Sequence, residues 1–198
     1  MPNWCSNSVS LSHDNPEMIA RAVKGYLGSS LINEFLPCPQ ELIDTIAGSY
    51  GDEDKQRELK LKQKANFEKY GAKDWYDWSI ANWGTKWDVG GDEYTQANPN
   101  TCRFSFESAW APPIQFFEHL ESLGFQVEAM YYEPGMCFAG TVTSSDGEIF
   151  DDYYEYSDMS SDEVRDTLPS ELDEQFGISE QMADWEAEQE SDLELDND

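Results

Sequence analysis

Residues 101–143, TCRFSFESAWAPPIQFFEHLESLGFQVEAMYYEPGMCFAGTVT, decide how this chain folds. Cys102, Phe104 and Phe106 alternate with polar neighbours over 101–109, the period-two pattern of a strand with one buried face. Pro112 and Pro113 then open a helix through PPIQFFEHLESLGF, because proline suits the first helical turn and breaks any later one. Gly124 is its natural stop, since glycine takes the left-handed conformation that ends helices. Residues 126–133, QVEAMYYE, return as a strand, Pro134–Gly135 turn the chain, and residues 136–143 form the hairpin partner. Asp146–Gly147 is a second hairpin signal, leading into a strand over 148–156.

Upstream of this stretch, residues 3–12 carry Trp4, Val9 and Leu11, with serines at 6, 8, 10 and 12, and predict a half-buried strand. Asp14 or Asn15 caps the helix that follows, with Pro16 at its first position. Met18, Ile19, Ala22, Val23, Tyr26 and Leu27 form its apolar face. Residues 32–38 read as an irregular strand ended by Pro37 and Pro39, and residues 39–46 as a short helix. Residues 52–73 hold seven basic and five acidic groups, with Glu58 and Lys62 at the favourable i,i+4 spacing. They predict a charged, exposed helix. The order is strand, helix, irregular strand, inserted helices, strand, helix and a run of strands. Two strand–helix–strand passes around an antiparallel sheet are the ferredoxin-like pattern. The expected fold is therefore α+β: a ferredoxin-like antiparallel sheet with helices on one face, an inserted helical segment at about 39–73, and an acidic C-terminal extension. The domain is expected over 1–157. Residues 158–198 then form a tail, either disordered or with short helices at 161–166 and 179–188.

The chain has 198 residues, 12 Lys plus Arg and 41 Asp plus Glu, for a formal net charge of −29. Nucleic acids and anionic membranes recruit basic surfaces, so direct binding to either is not expected. Aromatic residues make up 14% of the chain, whereas disordered acidic chains are poor in them, so a packed core is expected. No apolar run approaches the roughly 20 residues that span a bilayer. The N-terminus lacks the basic-then-apolar pattern of a signal peptide. Cys5, Cys38, Cys102 and Cys137 are widely spaced and read as reduced thiols of a cytoplasmic protein.

The opening MPNWCSN, the block WSIANWGTKWD, the strand FSFESAWAPP and the stretch YYEPGMCFAG together resemble the Api92-like (YubB) family, proteins of bacteriophages and conjugative plasmids with a ferredoxin-like domain. The resemblance runs over about residues 1–155 and leaves the acidic end outside it. It implies the ferredoxin-like fold, a phage or plasmid origin and expression inside a bacterium. It carries no general activity with it.

Catalytic and metal motifs are missing from the sequence. There is no nucleophile elbow, Walker A loop or dinucleotide fingerprint, and no CxxC, HExxH or calcium-loop spacing. No cofactor, no metal and no enzymatic activity are expected. A hidden pocket would draw on His13, His119 and Cys137. The block with Trp83 and Trp87, together with Asn82, Gly84, Lys86 and the distant Trp4, is either core packing or a partner-facing patch.

The acidic end is the stronger signal. Residues 151–198 hold 19 acidic side chains against one basic one, Arg165. From Asp184 the acids recur at every second residue, through Glu186, Glu188, Glu190, Asp192 and Glu194. An extended chain would line them up at about 6.6 Å, close to the separation of successive phosphates. Asp151, Asp152, Glu155, Asp158, Asp162 and Glu163 add to this surface, and Asp88, Asp92 and Glu93 form a second patch. The expected function is an acidic phage- or plasmid-encoded inhibitor. It would mimic nucleic acid and occupy the basic groove of a host nucleic-acid-binding or defence protein, in the host cytoplasm. Dimerisation about a two-fold axis would lengthen such a mimic. The other reading is a non-catalytic module docking through its Trp-rich surface, with the tail only for solubility. Deleting 158–198 is expected to separate the two.

Overall fold

A computed structural model describes residues 3–195 of the chain. Its elements run β1 (Trp4–Ser12), α1 (Pro16–Leu27), α2 (Leu31–Phe35), α3 (Gln40–Ile43), α4 (Glu53–Tyr70), α5 (Trp75–Trp83), β2 (Tyr94–Asn98), β3 (Thr101–Ala109), α6 (Ile114–Ser122), β4 (Gln126–Glu133), β5 (Phe138–Ser145), β6 (Glu148–Glu155), α7 (Ser161–Thr167), α8 (Ser170–Phe176) and α9 (Ile178–Leu195). The strands make one antiparallel sheet in the order β2-β3-β1-β4-β5-β6. The first four carry the ferredoxin-like arrangement. β1 lies between β3 and β4, and α1 and α6 make the two crossovers.

The alternation read in the sequence sets one face of this sheet. Cys5, Val9 and Leu11 of β1, Cys102, Phe104 and Phe106 of β3, and Val127, Ala129 and Tyr131 of β4 point into one core. Ile19, Ala22 and Tyr26 of α1 and Phe116, Phe117 and Leu120 of α6 cover them. Asn15 caps α1 by accepting from the Glu17 N–H at 3.0 Å, with Pro16 at the first position as its φ preference requires. Gly140 lies opposite Tyr131, and a Cβ there would stand 2.3 Å from the tyrosine ring. The bare glycine lets Tyr131 lie across β5 and donate its hydroxyl to Asp151 Oδ1 at 2.7 Å. Glu133, buried at the end of β4, accepts the N–H groups of Gly135 and Met136 at 2.8 and 2.7 Å and so closes the β4–β5 turn.

Several expectations change. Residues 32–38 do not form a strand: Leu31–Phe35 is the short helix α2, buried by Leu31, Ile32 and Phe35. The second strand of the ferredoxin-like unit is β2, after the insertion. All five of its residues are exposed, so it has no apolar alternation to read. Lys62 does not pair with Glu58 but donates to the Asp44 carbonyl at 2.7 Å. The insertion is held together internally by Asn66, which donates to Thr45 Oγ1 and the Lys73 carbonyl.

The C-terminal region is not an appended tail over 158–189, where its side chains are described. α7, α8 and α9 lie on the sheet face opposite α1 and α6. Val164, Leu168, Leu172 and Ile178 join Tyr132, Ala139 and Tyr156 in a second core. Acidic side chains hold these helices together. Glu186 accepts from the Ser161 N–H and hydroxyl at 2.9 and 2.6 Å, and Asp173 accepts from the Ser179 N–H and hydroxyl at 2.7 and 2.6 Å. Helices therefore cover parts of both faces. Removing 158–198 would expose the face under Leu172, so the deletion disturbs folding as well as charge. Leu172 is fully buried, and Leu172→Ala is expected to destabilise the protein by about 2–5 kcal/mol. Urea unfolding checks this, and an unchanged midpoint would show that α8 does not hold this face of the sheet.

Candidate functional site

The four quoted sequence blocks do not end up with the same burial. Within the Trp block, Trp78 and Trp83 are core residues packed edge to face, and Trp83 Nε1 donates to the Leu36 carbonyl at 2.9 Å. Asn82 folds back onto its own helix, donating to the Trp78 carbonyl at 2.9 Å. Gly84 ends α5 with φ +82°, a conformation glycine adopts without strain, and a Cβ would collide with Gln115. Fully buried Thr85 clamps the end of β3, donating to the Ala109 carbonyl at 3.1 Å and accepting from its N–H at 3.0 Å. Core packing accounts for Trp83, Asn82 and Gly84.

The next two residues turn outward. The clamp delivers Lys86 and Trp87 to a corner of the sheet where Trp4 and Trp110 also emerge. Trp4, Trp87 and Trp110 are 46%, 38% and 39% exposed. The Trp4 and Trp87 rings are 5.8 Å apart. Lys86 Nζ lies 4.4 Å from the Trp87 ring centre, 5.2 Å from Trp110 and 5.7 Å from Tyr76, within cation–π range of all three. Trp110 holds φ +70°, which is strained for a bulky side chain, and its N–H donates to the Asn3 carbonyl at 2.9 Å. A cleft of about 640 Å³ runs from Trp4 and Trp87 along Ser6, Ser105 and Glu107 to Phe176 of α8. This aromatic platform with one cation is suited to contact with a flat or acidic group.

The predicted acids divide into caps and surface groups. Asp88 is not a surface patch residue. Its carboxylate accepts the N–H groups of Ile32, Asn33 and Val89 at 2.8, 3.0 and 2.8 Å, and burial raises its pKa against those bonds. Burial likewise raises Asp151, opposed by the Tyr131 hydroxyl. Glu163 closes a capping box on Ser160, whose N–H and hydroxyl hold its pKa below the usual range. Glu186 ties α7 to α9. Asp92, Glu93, Asp152, Glu155, Asp158, Asp162, Asp184 and Glu188 are exposed. Asp162 pairs with Arg165 at 2.7 Å. Glu190, Asp192 and Glu194 have side chains outside the described part. Ile178–Leu195 is helical, so the extended row of carboxylates expected from Asp184 onward is not present over that span.

A family model described as "Ferredoxin-like domain in Api92-like protein" matches residues 82–192, more than half of the chain. The chain belongs to the Api92-like family. The matched region of this Api92-like chain starts inside the Trp block and runs through α7 and α8 into α9, so most of the acidic layer lies within the family domain, against the expectation that it stood outside. The chain is also similar to the protein api92 from Yersinia pseudotuberculosis, of known crystal structure, at 12% identity and a TM-score of 0.47, over 79% of this chain and 99% of that one. No curated protein matches it.

His13, His119 and Cys137 do not form a site. His13 Nε2 is 3.1 Å from the Leu123 carbonyl, and its Nδ1 accepts the Asn15 N–H, joining β1 to the end of α6. His119 Nε2 is 3.2 Å from the Phe35 carbonyl. Cys137 sits in the β4–β5 turn, on the other side of the sheet from α6, with its thiol against the Pro134 carbonyl. Among the described residues, no cluster of His, Cys, Asp and Glu could hold a metal ion. Trp110, Tyr76 and Glu107 were not singled out from the sequence. Trp110 stood inside a quoted motif, but nothing local placed it beside Lys86.

The thiols differ sharply. Burial pushes Cys5 and Cys102 up to about 12 and Cys38 to about 11, while Cys137 is partly exposed. At pH 8 a thiol reagent is expected to modify Cys137 alone in the native protein, and all four cysteines after unfolding. Rapid native labelling of Cys5 or Cys102 would contradict this arrangement.

Proposed function

We propose that this chain is a non-catalytic acidic binding protein of phage or plasmid origin, which occupies the basic nucleic-acid-binding groove of a protein in the cytoplasm of its bacterial host. The observation that carries this reading is a row of carboxylates on α9. Glu180, Asp184 and Glu188 are exposed and four residues apart, so they follow one helix face at about 6 Å steps. That step is close to the separation of phosphates along one nucleic-acid strand. Like charges at this spacing destabilise a helix, so the row works against local stability. The second core offsets that cost by packing Ile178, at the start of α9, with α7 and α8 on the sheet. From residue 104 to the end, the chain carries 26 acidic residues and the single cation Arg165. Such a field speeds association with a basic surface and makes it salt-dependent.

Capture of partners from bacterial lysate tests this. The expected partner elutes at high salt and is displaced by duplex DNA. The combined variant Glu180→Gln, Asp184→Asn, Glu188→Gln is expected to weaken capture by about tenfold or more, with its helix content kept. A partner held equally at low and high salt would end the mimicry reading. The exposed indoles favour a second reading, docking through Trp4, Trp87 and Trp110. In that case Trp87→Ala, and not the acidic variant, releases the partner.

A further inference from the structure

The two edges of the sheet are finished differently. Along β3, pairing with β2 reaches only to Phe104. Beyond it, the Tyr26 hydroxyl donates to the Ser105 carbonyl at 2.7 Å, and Thr85 takes both backbone groups of Ala109. Side chains from the core thus cap that edge. Among the described residues, the β6 edge has no neighbouring strand. The Tyr156 N–H donates to the Cys137 carbonyl at 2.9 Å, which sets the parity of the ladder. The even-numbered residues of β6 bond to β5, and Ile149, Asp151, Tyr153 and Glu155 turn their N–H and C=O groups away from the sheet. The strand is eight residues long and pairs with β5 without a bulge, and its sequence, EIFDDYYE, contains no proline. An open edge of this kind is a template for another strand.

Its side chains decide which strand. Phe150 and Tyr153 are 49% and 54% exposed. Asp152 and Glu155 are exposed on opposite faces of the same strand, and Glu148 stands at its start. Glu118 and Glu121 of α6 line the hollow beside Glu148. A second copy of this strand would set acids against acids, which destabilises a strand pair. A strand bearing Lys or Arg meets carboxylates on both faces and two aromatic rings that attract cations.

We propose that the outer edge of β6 binds an extended, Lys- or Arg-rich segment of a partner protein as an added antiparallel or parallel strand. This deepens the reading of the chain as an acidic binder and rests on it. Backbone bonds to Ile149, Asp151, Tyr153 and Glu155 supply the register, and the carboxylates and rings supply selectivity.

The test uses the full chain and two synthetic peptides, four repeats of Lys-Val and four repeats of Glu-Val, with amide hydrogen exchange followed by NMR. The Lys-Val peptide is expected to protect the amides of Ile149, Asp151, Tyr153 and Glu155, and the Glu-Val peptide to leave them unchanged. Tyr153→Pro removes an outward N–H while sparing the ladder to β5, because proline is tolerated where the N–H faces solvent. The pair Asp152→Lys, Glu155→Lys reverses charge at exposed positions. Each is expected to weaken Lys-Val binding by about tenfold or more. Unchanged exchange at the four amides, or binding indifferent to both variants, overturns strand addition. If the peptide perturbs only α7–α9, or a DNA-displaceable lysate partner stays on both variants, strand addition is wrong and the acidic-binder reading stands. If neither peptide nor partner binds at low salt, both fall.

Discussion

Everything in this fold hangs on β1. It is the central strand, bonded on one side to β3, about 100 residues away, and on the other to β4, about 120 away. Cys5, Val9 and Leu11 are buried under α1 and α6, and β1 gives each neighbour its register. A slip of one residue would send those side chains to the opposite face and bring the serines into the core. Asn7 guards against it: its Nδ2 donates across the pair to Ser108 Oγ at 2.9 Å and to the Phe106 carbonyl at 3.3 Å, a fit tied to this register.

A sheet of this width has two faces, and the second explains why the acidic region is folded. Serines line that face of β1, so it tolerates water there. Tyr132 and Ala139 do not, and α7–α9 bring Val164, Leu168, Leu172 and Ile178 to them. Those four apolar residues anchor a segment that is otherwise dominated by like charge. Several of its acids serve that anchoring directly: Asp173 and Glu186 accept from backbone N–H groups at helix starts, where negative charge is favourable, and Glu163 completes a cap. An excess of carboxylates thus divides into groups that hold helices and groups that face solvent.

The same division runs through the Trp-rich block. Trp83 and Thr85 are consumed by the core, and their fixed positions aim Lys86 and Trp87 outward at a place where strained Trp110 meets them. The alternation in β3, the prolines opening α6, the Asn15–Pro16 cap and the hairpin turns were legible because each is a local rule about a few neighbouring residues. β2 was not, because an exposed five-residue edge strand exists through its pairing to β3 and not through its own pattern. The acids were legible as a charge excess. Which of them are caps was not, because Asp88 meets Ile32 across 56 residues and Glu186 meets Ser161 across 25.

By itself the sequence determined the strand, helix and hairpin order from β3 to β6, the family, the apolar face of the sheet and a strongly negative net charge. The family follows from its sequence motifs, and the rest from periodicity, turn chemistry and net charge, which need no neighbours in space. Only the tertiary structure decided that the acidic end is a helical layer on the second face, that a cationic aromatic corner gathers from four separate segments, and that one sheet edge is capped while the other stays open. Each depends on what a side chain meets after the chain returns on itself. The same aspartate is a solvated charge in an extended tail and a helix cap once an N–H is folded against it.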